Sequence, residues 1–312
     1  MLRQETVEQS LGLNRGEAPT AGRGLAGALG AYVSLTKPRI ILLLLITTVP
    51  AMIVAQEGMP SAWLVFLTLL GGSLSAGGAN AINCYLDKDI DGIMYRTRHR
   101  VLPAGRVEPE RALLFGIGLG AAGFVLLAVG VNLVSALLAT ATLGFYVFVY
   151  TRWLKRTTAQ NIVIGGAAGA MPPVIGWAAV TGGLGWPALA FFAIIFLWTP
   201  PHFWALALRY RSDYARAGLP MLPVVRGEKE TKRQVLLYSV CLVACSLVLA
   251  PVADMGALYV GAALALGAGF IGLAARLWST PDPRASRALF AYSLVYLAAL
   301  FVTMGLDELL IS

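Results

Sequence analysis

Charge is scarce in this sequence. Only 13% of its 312 residues are Asp, Glu, Lys or Arg, about half of the ~25% carried by soluble domains. A soluble fold of this length needs a wetted exterior, and the chain has too little polar material to build one. Cysteine is equally sparse. The three present, Cys84, Cys241 and Cys245, lack CxxC spacing and cannot form an extracellular disulfide framework; all lie in or near apolar runs and read as small buried thiols. The N-terminal segment has no apolar core of a cleavable signal peptide. Rich in Gly, Ala and polar residues, 1–35 reads as a mobile tail ahead of a single membrane domain spanning 36–312.

What the chain does have is apolar: 58% of residues, with a mean hydropathy of +0.73. Runs of membrane length occur at 40–56, 62–84, 112–131, 133–150, 161–180, 187–208, 234–253, 256–275 and 288–306. The expected fold class is all-α: a polytopic membrane protein with nine transmembrane helices around a central cavity. The fifth run contains Pro172-Pro173 and the sixth Pro200-Pro201. Broken backbone survives in a bilayer only where neighbouring helices or a cavity satisfy the freed groups, so these two helices are expected as cavity walls. Gly165-Gly166 and Gly176 suit close helix contact.

The charges that remain are sorted. All 24 Lys and Arg lie before the first run or in the connections after the second, fourth, sixth and eighth, which is one side of a nine-span protein. The positive-inside rule makes that side cytoplasmic, with the N-terminus inside and the C-terminus outside. A bacterial-type inner membrane is the expected location, and lipid the expected surroundings. Glu57, Asp254, Asp307 and Glu308 alone occupy the other side. The net charge of +8 is therefore a one-sided field.

That side also carries the chemistry. At the end of the second run stand Asn83, Asp87 and Asp91, spaced i, i+4, i+8 and so stacked on one helix face; Asp89 points away. Stacked carboxylates repel unless a cation sits between them. Two carboxylates and an amide are hard oxygen donors of the kind Mg²⁺ takes, completing its shell with phosphate oxygens. Arg96, Arg98 and Arg100 follow, suited to bidentate phosphate contacts. A second polar loop after the sixth run holds His202 and a single acid, Asp213, among basic residues, and Arg152, Lys155 and Arg156 lie on the same face. A matching ligand is amphipathic: a diphosphate head on a hydrocarbon tail. The bland alternative is a solvated helix end.

These residues carry a resemblance. Asn-x-x-x-Asp-x-x-x-Asp at the end of the second span resembles the UbiA superfamily of intramembrane prenyltransferases. Within it, Thr36-Lys-Pro-Arg39, Asn80 to Asp91 with Met94 to Arg98, Asn161 to Trp177, Trp198 to Trp204 and Asp213 to Pro223 are similar to the haem-farnesylating members, the protohaem IX farnesyltransferases. The likeness runs from about residue 36 to 227. It implies transfer of a farnesyl group from farnesyl diphosphate to the vinyl group of haem B, giving haem O, with a downstream haem A synthase as a possible partner and no nucleic acid. By the same resemblance, Asn83, Asp87 and Asp91 hold Mg²⁺ and form the catalytic set, and Arg39, Arg96, Lys155, Arg156 and Asp213 attend the diphosphate. The superfamily's second Asp-x-x-x-Asp motif is reduced here, because positions 209 and 217 are Arg and Ala. His202, beside Trp204, is the better candidate for a haem contact, and His99 belongs to the phosphate or propionate environment; an ordinary hydrogen-bonded histidine competes for both. Phe145, Tyr146, Tyr150 and Trp177 are candidates to line a prenyl channel.

Two other classes remain. A transporter calls for polar residues near mid-bilayer at broken helices, whereas the acids cluster at one face. A haem carrier requires His202 but has no use for the carboxylate stack. A CDP-alcohol phosphatidyltransferase is excluded, since Asp91-Gly92 is not followed by the x-x-Ala-Arg its motif requires.

Overall fold

The computed structural model describes residues 24–311, and all of its regular structure is helical. Helix α1, Leu25–Thr36, precedes the first span. The spanning helices are α2 (Pro38–Gln56), α3 (Ala62–Leu86), α5 (Pro109–Gly130), α6 (Leu133–Thr157), α7 with α8 (Asn161–Gly169 and Met171–Thr181), α9 (Trp186–Arg209), α12 (Gly227–Val252), α13 (Ala257–Ser279) and α14 (Pro283–Ile311). Short helices α4 (Lys88–Ile93), α10 (Arg211–Arg216) and α11 (Leu222–Val225) decorate the connections. Among the described residues, nine segments are therefore long and apolar enough to cross a membrane.

Alternate crossing brings connections 87–108, 158–160, 210–226 and 280–282 to one end. Contacts there confirm it: Lys155 reaches Asp87, Asp213 reaches the backbone of Arg96, and Lys232 Nζ donates to the Thr280 carbonyl at 2.8 Å. At the opposite end Asp307 caps α13, accepting from the backbone N–H groups of Gly256 and Tyr259. Large apolar side chains such as Leu114, Val129, Phe148 and Val248 face outward, as they must where the surroundings are hydrocarbon rather than water.

Several local expectations are corrected. Part of the expected tail is helical: Ala31 and Leu35 of α1 are buried against Ala81, Cys84, Val101 and Leu102. Residues 1–23, the rest of that tail, lie outside the described residues. Pro172 and Pro173 do mark a break, between α7 and α8, where they occupy the first turn of the new helix with no N–H to lose. Pro200 and Pro201 do not: α9 runs through them unbroken. Cys84 is buried, but Cys241 is exposed on the outer face of α12.

Two close approaches shape the bundle. A methyl group on Gly78 of α3 would lie 2.6 Å from the Gly116 carbonyl of α5, so these helices meet backbone to backbone. On Gly165 of α7 it would lie 2.2 Å from the Tyr150 ring. Tyr150 belongs to an unusual stretch, Phe145–Leu154, wound as π-helix within α6. Such windings are rare and concentrate at functional sites; this one turns Thr151 and Lys155 toward the end of α3.

Candidate active site

The geometry begins at the junction of α3 and α4. Asp87 joins them with φ −94° and ψ 4°, and the helical ladder carries through: Asp87 N donates to Asn83 O at 2.9 Å and Asp91 N to Asp87 O at 2.8 Å. Asn83, Asp87 and Asp91 thus share a face, as their spacing requires. All three are buried, with Asp87 1% exposed. Asp89 points away, gripped by Arg156 through two bonds of 2.7 and 2.8 Å. That grip chiefly holds its carboxyl below the ordinary range.

Cations surround the buried carboxylates. Lys155 Nζ lies 2.5 Å from Asp87 Oδ2, and Arg156 3.9 Å from Asp87 Oδ1. Asn83 Nδ2 donates to Asp87 Oδ2 at 2.8 Å and to Thr151 Oγ1 at 3.1 Å. Asn83 Oδ1 in turn accepts from Lys37 Nζ at 2.6 Å. Arg100 Nη1 meets both oxygens of Asp91, at 3.0 and 2.9 Å. Burial depresses the Lys37 ammonium below the usual lysine range. For Arg100 burial again lowers the value, but the charge and hydrogen bonds of Asp91, with smaller help from Cys84 and Asp87, together outweigh it and raise the guanidinium above its usual range. One polar atom at the centre is left over: Asp87 Oδ1 is buried and accepts no hydrogen bond. Such an orphan is costly unless something cationic completes it.

Directly below lies an apolar cavity of about 170 Å³. Asn80 and Tyr146 stand at its polar end, and it is walled by α2, α3, α6, α7 and α8, including Thr48, Gly72, Ala139 and Pro172. Between Asn80 and Thr68, both lining it, α3 rises about 18 Å. The fifth span is thus a cavity wall and the sixth is not. Of the aromatic candidates only Tyr146 lines it; Trp177 instead packs on Phe191 with ring centroids 6.1 Å apart.

The remaining candidates divide. Arg96 joins the site from above, its guanidinium over Tyr210 and Tyr214 and donating to Tyr214 Oη at 3.2 Å. Asp213 is buried, yet it turns toward the backbone, accepting from the N–H groups of Tyr95 and Arg96 and from Arg216. Arg39 is exposed on the first turn of α2 and makes none of these contacts. His99 is exposed at the rim of a second, polar cavity. His202 is apart from all of them: it bonds Ser293 Oγ at 2.7 Å and is sandwiched between Trp198 and Phe290 at 4.2 and 4.7 Å, which is the ordinary satisfied histidine. Lys37 and Thr151 are site residues that the sequence reading does not name, although Lys37 stands in the Thr36-Lys-Pro-Arg39 stretch. Arg100, expected at a phosphate, instead holds Asp91.

Chemically, the site offers two carboxylates and an amide for a hard cation, at least four basic side chains for an anion, and an apolar slot for a tail. Among the described residues no three of His, Cys, Asp and Glu cluster as a self-sufficient metal site, so a cation here needs oxygens from its ligand. A family model described as the UbiA prenyltransferase family matches residues 44–301. A Protoheme IX farnesyltransferase of Gloeobacter violaceus is 56% identical over 286 residues, covering 91% of this chain and 94% of that protein. Protoheme IX farnesyltransferase 1 of Saccharopolyspora erythraea is 54% identical over 300 residues, covering 95% and 94%. Among solved structures, a digeranylgeranylglyceryl phosphate synthase superposes with a TM-score of 0.75 at 17% identity, over 90% of this chain and 99% of its own. A UbiA homolog from Archaeoglobus fulgidus bound to DMAPP and Mg²⁺ gives 0.65 at 17%, over 90% and 99%. At those identities the solved structures show a shared fold.

Proposed function

The chain belongs to the UbiA prenyltransferase family, and on that premise we propose that it transfers the farnesyl group of farnesyl diphosphate to a vinyl group of haem B, giving haem O and diphosphate. It is a multi-pass membrane enzyme of the prenyltransferase class. One observation carries the choice of substrates: identity of 56% and 54% to Protoheme IX farnesyltransferases over nine-tenths or more of the chain. The geometry supports it, because a buried carboxylate pair ringed by cations stands over an apolar slot. A transporter has no comparable support. The one-sided basic field supports a site at the cytoplasmic face of a bacterial-type inner membrane.

The residues fit a magnesium ion. Asp87 Oδ1 is a buried, unbonded hard oxygen, and Asp91 and Asn83 are its neighbours on the helix face. Mg²⁺ characteristically takes one or two carboxylates and finishes its shell with phosphate oxygens. When bound, it supplies charge neutralisation to the departing diphosphate. Lys155 and Arg156, which stand against Asp87, hold the phosphoryl oxygens, and Lys37 fixes the rotamer of Asn83. The apolar slot binds the farnesyl tail and excludes water, so charge built up at the reacting carbon is not quenched early. The C–O bond to diphosphate breaks, the vinyl π electrons form the new C–C bond, and water adds at the resulting cation beside the pyrrole, losing a proton to leave a hydroxyl. No side chain acts as a covalent nucleophile.

The test is to incubate purified protein in detergent with haem B, farnesyl diphosphate and Mg²⁺ and to weigh the haem product. Haem O is expected from the wild type. Asp87→Asn is expected to lower turnover at least about a hundredfold with unchanged helical circular dichroism. No haem O from folded protein that binds both substrates overturns the assignment; a fully active Asp87→Asn overturns the role given to that carboxylate.

A further inference from the structure

A second cavity, of about 310 Å³, lies beside the carboxylate stack, under the C-terminal end of α1. Lys37, Arg96, Arg100 and Arg106 line it with His99 at the rim, against a single acid, Asp91. Both oxygens of that acid are already taken by Arg100. The cavity therefore carries a surplus of positive charge with no free carboxylate oxygen. Its cations are under-used: Arg96 Nε is buried without a hydrogen-bond partner, and Arg106 gives only Nη2 to the His99 carbonyl, at 3.2 Å. Beyond Ser34 and Cys84, the remaining walls, Leu35, Val101, Leu102 and Pro103, are apolar.

The two anion-attracting regions differ in what they can hold. At Asp87 an incoming anion meets buried carboxylate, so a metal ion is required between them. In the second cavity an anion meets guanidinium directly, and the planar fork of Arg matches a carboxylate bidentately without any metal. A shared wall separates them, because Lys37 lines the second cavity while its Nζ bonds Asn83 Oδ1.

We propose that this second cavity receives the propionate carboxylates of the haem acceptor, so that donor and acceptor are anchored by their anionic ends on either side of the Lys37–Asn83 contact. The proposal rests on the farnesyl transfer reading above. It assigns Arg106 and His99 to acceptor recognition and leaves the diphosphate to the Asp87 side. On the porphyrin the propionate arms and the vinyl groups occupy different edges, so holding the arms here leaves a vinyl edge free to meet the donor. The macrocycle itself stays outside so small a cavity; only the arms enter.

The test uses binding as well as turnover. Haem B and its dimethyl ester, whose arms are uncharged, are titrated by visible absorbance into the wild type, Arg106→Gln, Arg106→Lys and the double variant Arg106→Gln with His99→Gln, all as full-length protein in detergent. The wild type is expected to favour the free acid over the ester by about tenfold or more, the scale of a charge-assisted hydrogen bond. Arg106→Gln is expected to weaken free-acid binding severalfold without affecting the ester, the double variant to abolish the preference, and Arg106→Lys to keep most of it. In turnover, the haem KM rises and the farnesyl diphosphate KM does not. An unchanged acid-to-ester preference in the double variant overturns the proposal. So does a shift in the farnesyl diphosphate KM alone, which reassigns the cavity to diphosphate. If the preference depends on Arg106 while no haem O forms, the binding site stands and the farnesyl transfer reading fails.

Discussion

Asp213 shows how a side chain can belong to a motif and do a different job. Its Oδ1 accepts from Tyr95 N and Arg216, and its Oδ2 from Arg96 N at 3.1 Å, so its oxygens pin the segment that carries Arg96, Arg98 and Arg100. Burial pushes the carboxyl up, but the backbone of Arg96, the Arg216 side chain and the backbone of Tyr95 together outweigh it and hold it below 3.8. A depressed folded value means the ionised clasp stabilises the fold fully above about pH 4 and is lost as pH falls through the lowered value. Asp213→Asn is therefore expected to melt a few degrees below the wild type at constant gap between about pH 5 and 8, the gap closing in stronger acid. Thermal unfolding in detergent across that range checks it; a gap that widens in acid contradicts the clasp. The same precision governs Lys37 and Lys155, each placed by one short bond to a residue of the stack.

Among the elements, α3 holds the most constrained position. On one face Gly78 touches the α5 backbone, while on another Gly72 opens onto the apolar cavity with nothing within 4 Å of an added methyl. Gly78→Ala forces the helices apart and is expected to cost about 1–3 kcal/mol, the usual penalty of overpacking. Gly72→Ala is expected to leave stability nearly unchanged. Comparing the two by thermal unfolding isolates backbone contact from loss of glycine itself. The π-wound part of α6 answers α3 from across the site. Thr151 Oγ1 accepts from Asn83 and donates to the Tyr146 carbonyl five residues back, a reach that α-helical winding does not give.

For the whole molecule, the bundle divides polar from apolar along one line. The basic end holds both anion-attracting regions, and the slot beneath runs into the bilayer-spanning layer with Tyr146 and Asn80 at the boundary. Tail length is then a matter of depth. Gly72 lies eight residues below Asn80, about 12 Å along the helix, so Gly72→Phe places a ring partway down the slot. The expected result is a shift in preference from farnesyl toward geranyl diphosphate, with the farnesyl diphosphate KM raised roughly tenfold, the scale of losing a few buried methylenes. Mass analysis of the haem products with both donors tests it; unchanged preference means the tail lies elsewhere.

The number of spans, the one-sided basic field and the shared face of Asn83, Asp87 and Asp91 were all legible in the sequence. Each depends on local quantities: apolar run length, loop charge and a spacing of four residues on a helix. Contacts that complete the site join residues far apart in the chain, 46 positions between Lys37 and Asn83, 68 between Lys155 and Asp87 and 118 between Asp213 and Tyr95. No periodicity encodes such pairings, because they are set by how helices cross. The same holds for proline. The Pro172-Pro173 and Pro200-Pro201 pairs read alike, yet one opens a break against the cavity and the other lies inside a continuous helix. His202 and Asp213 likewise looked like ligand groups until packing gave His202 to Ser293 and Asp213 to the Tyr95–Arg96 backbone. Local chemistry selected which groups stand at the membrane boundary; only the packed bundle decided which of them are left with an unspent hydrogen bond or charge.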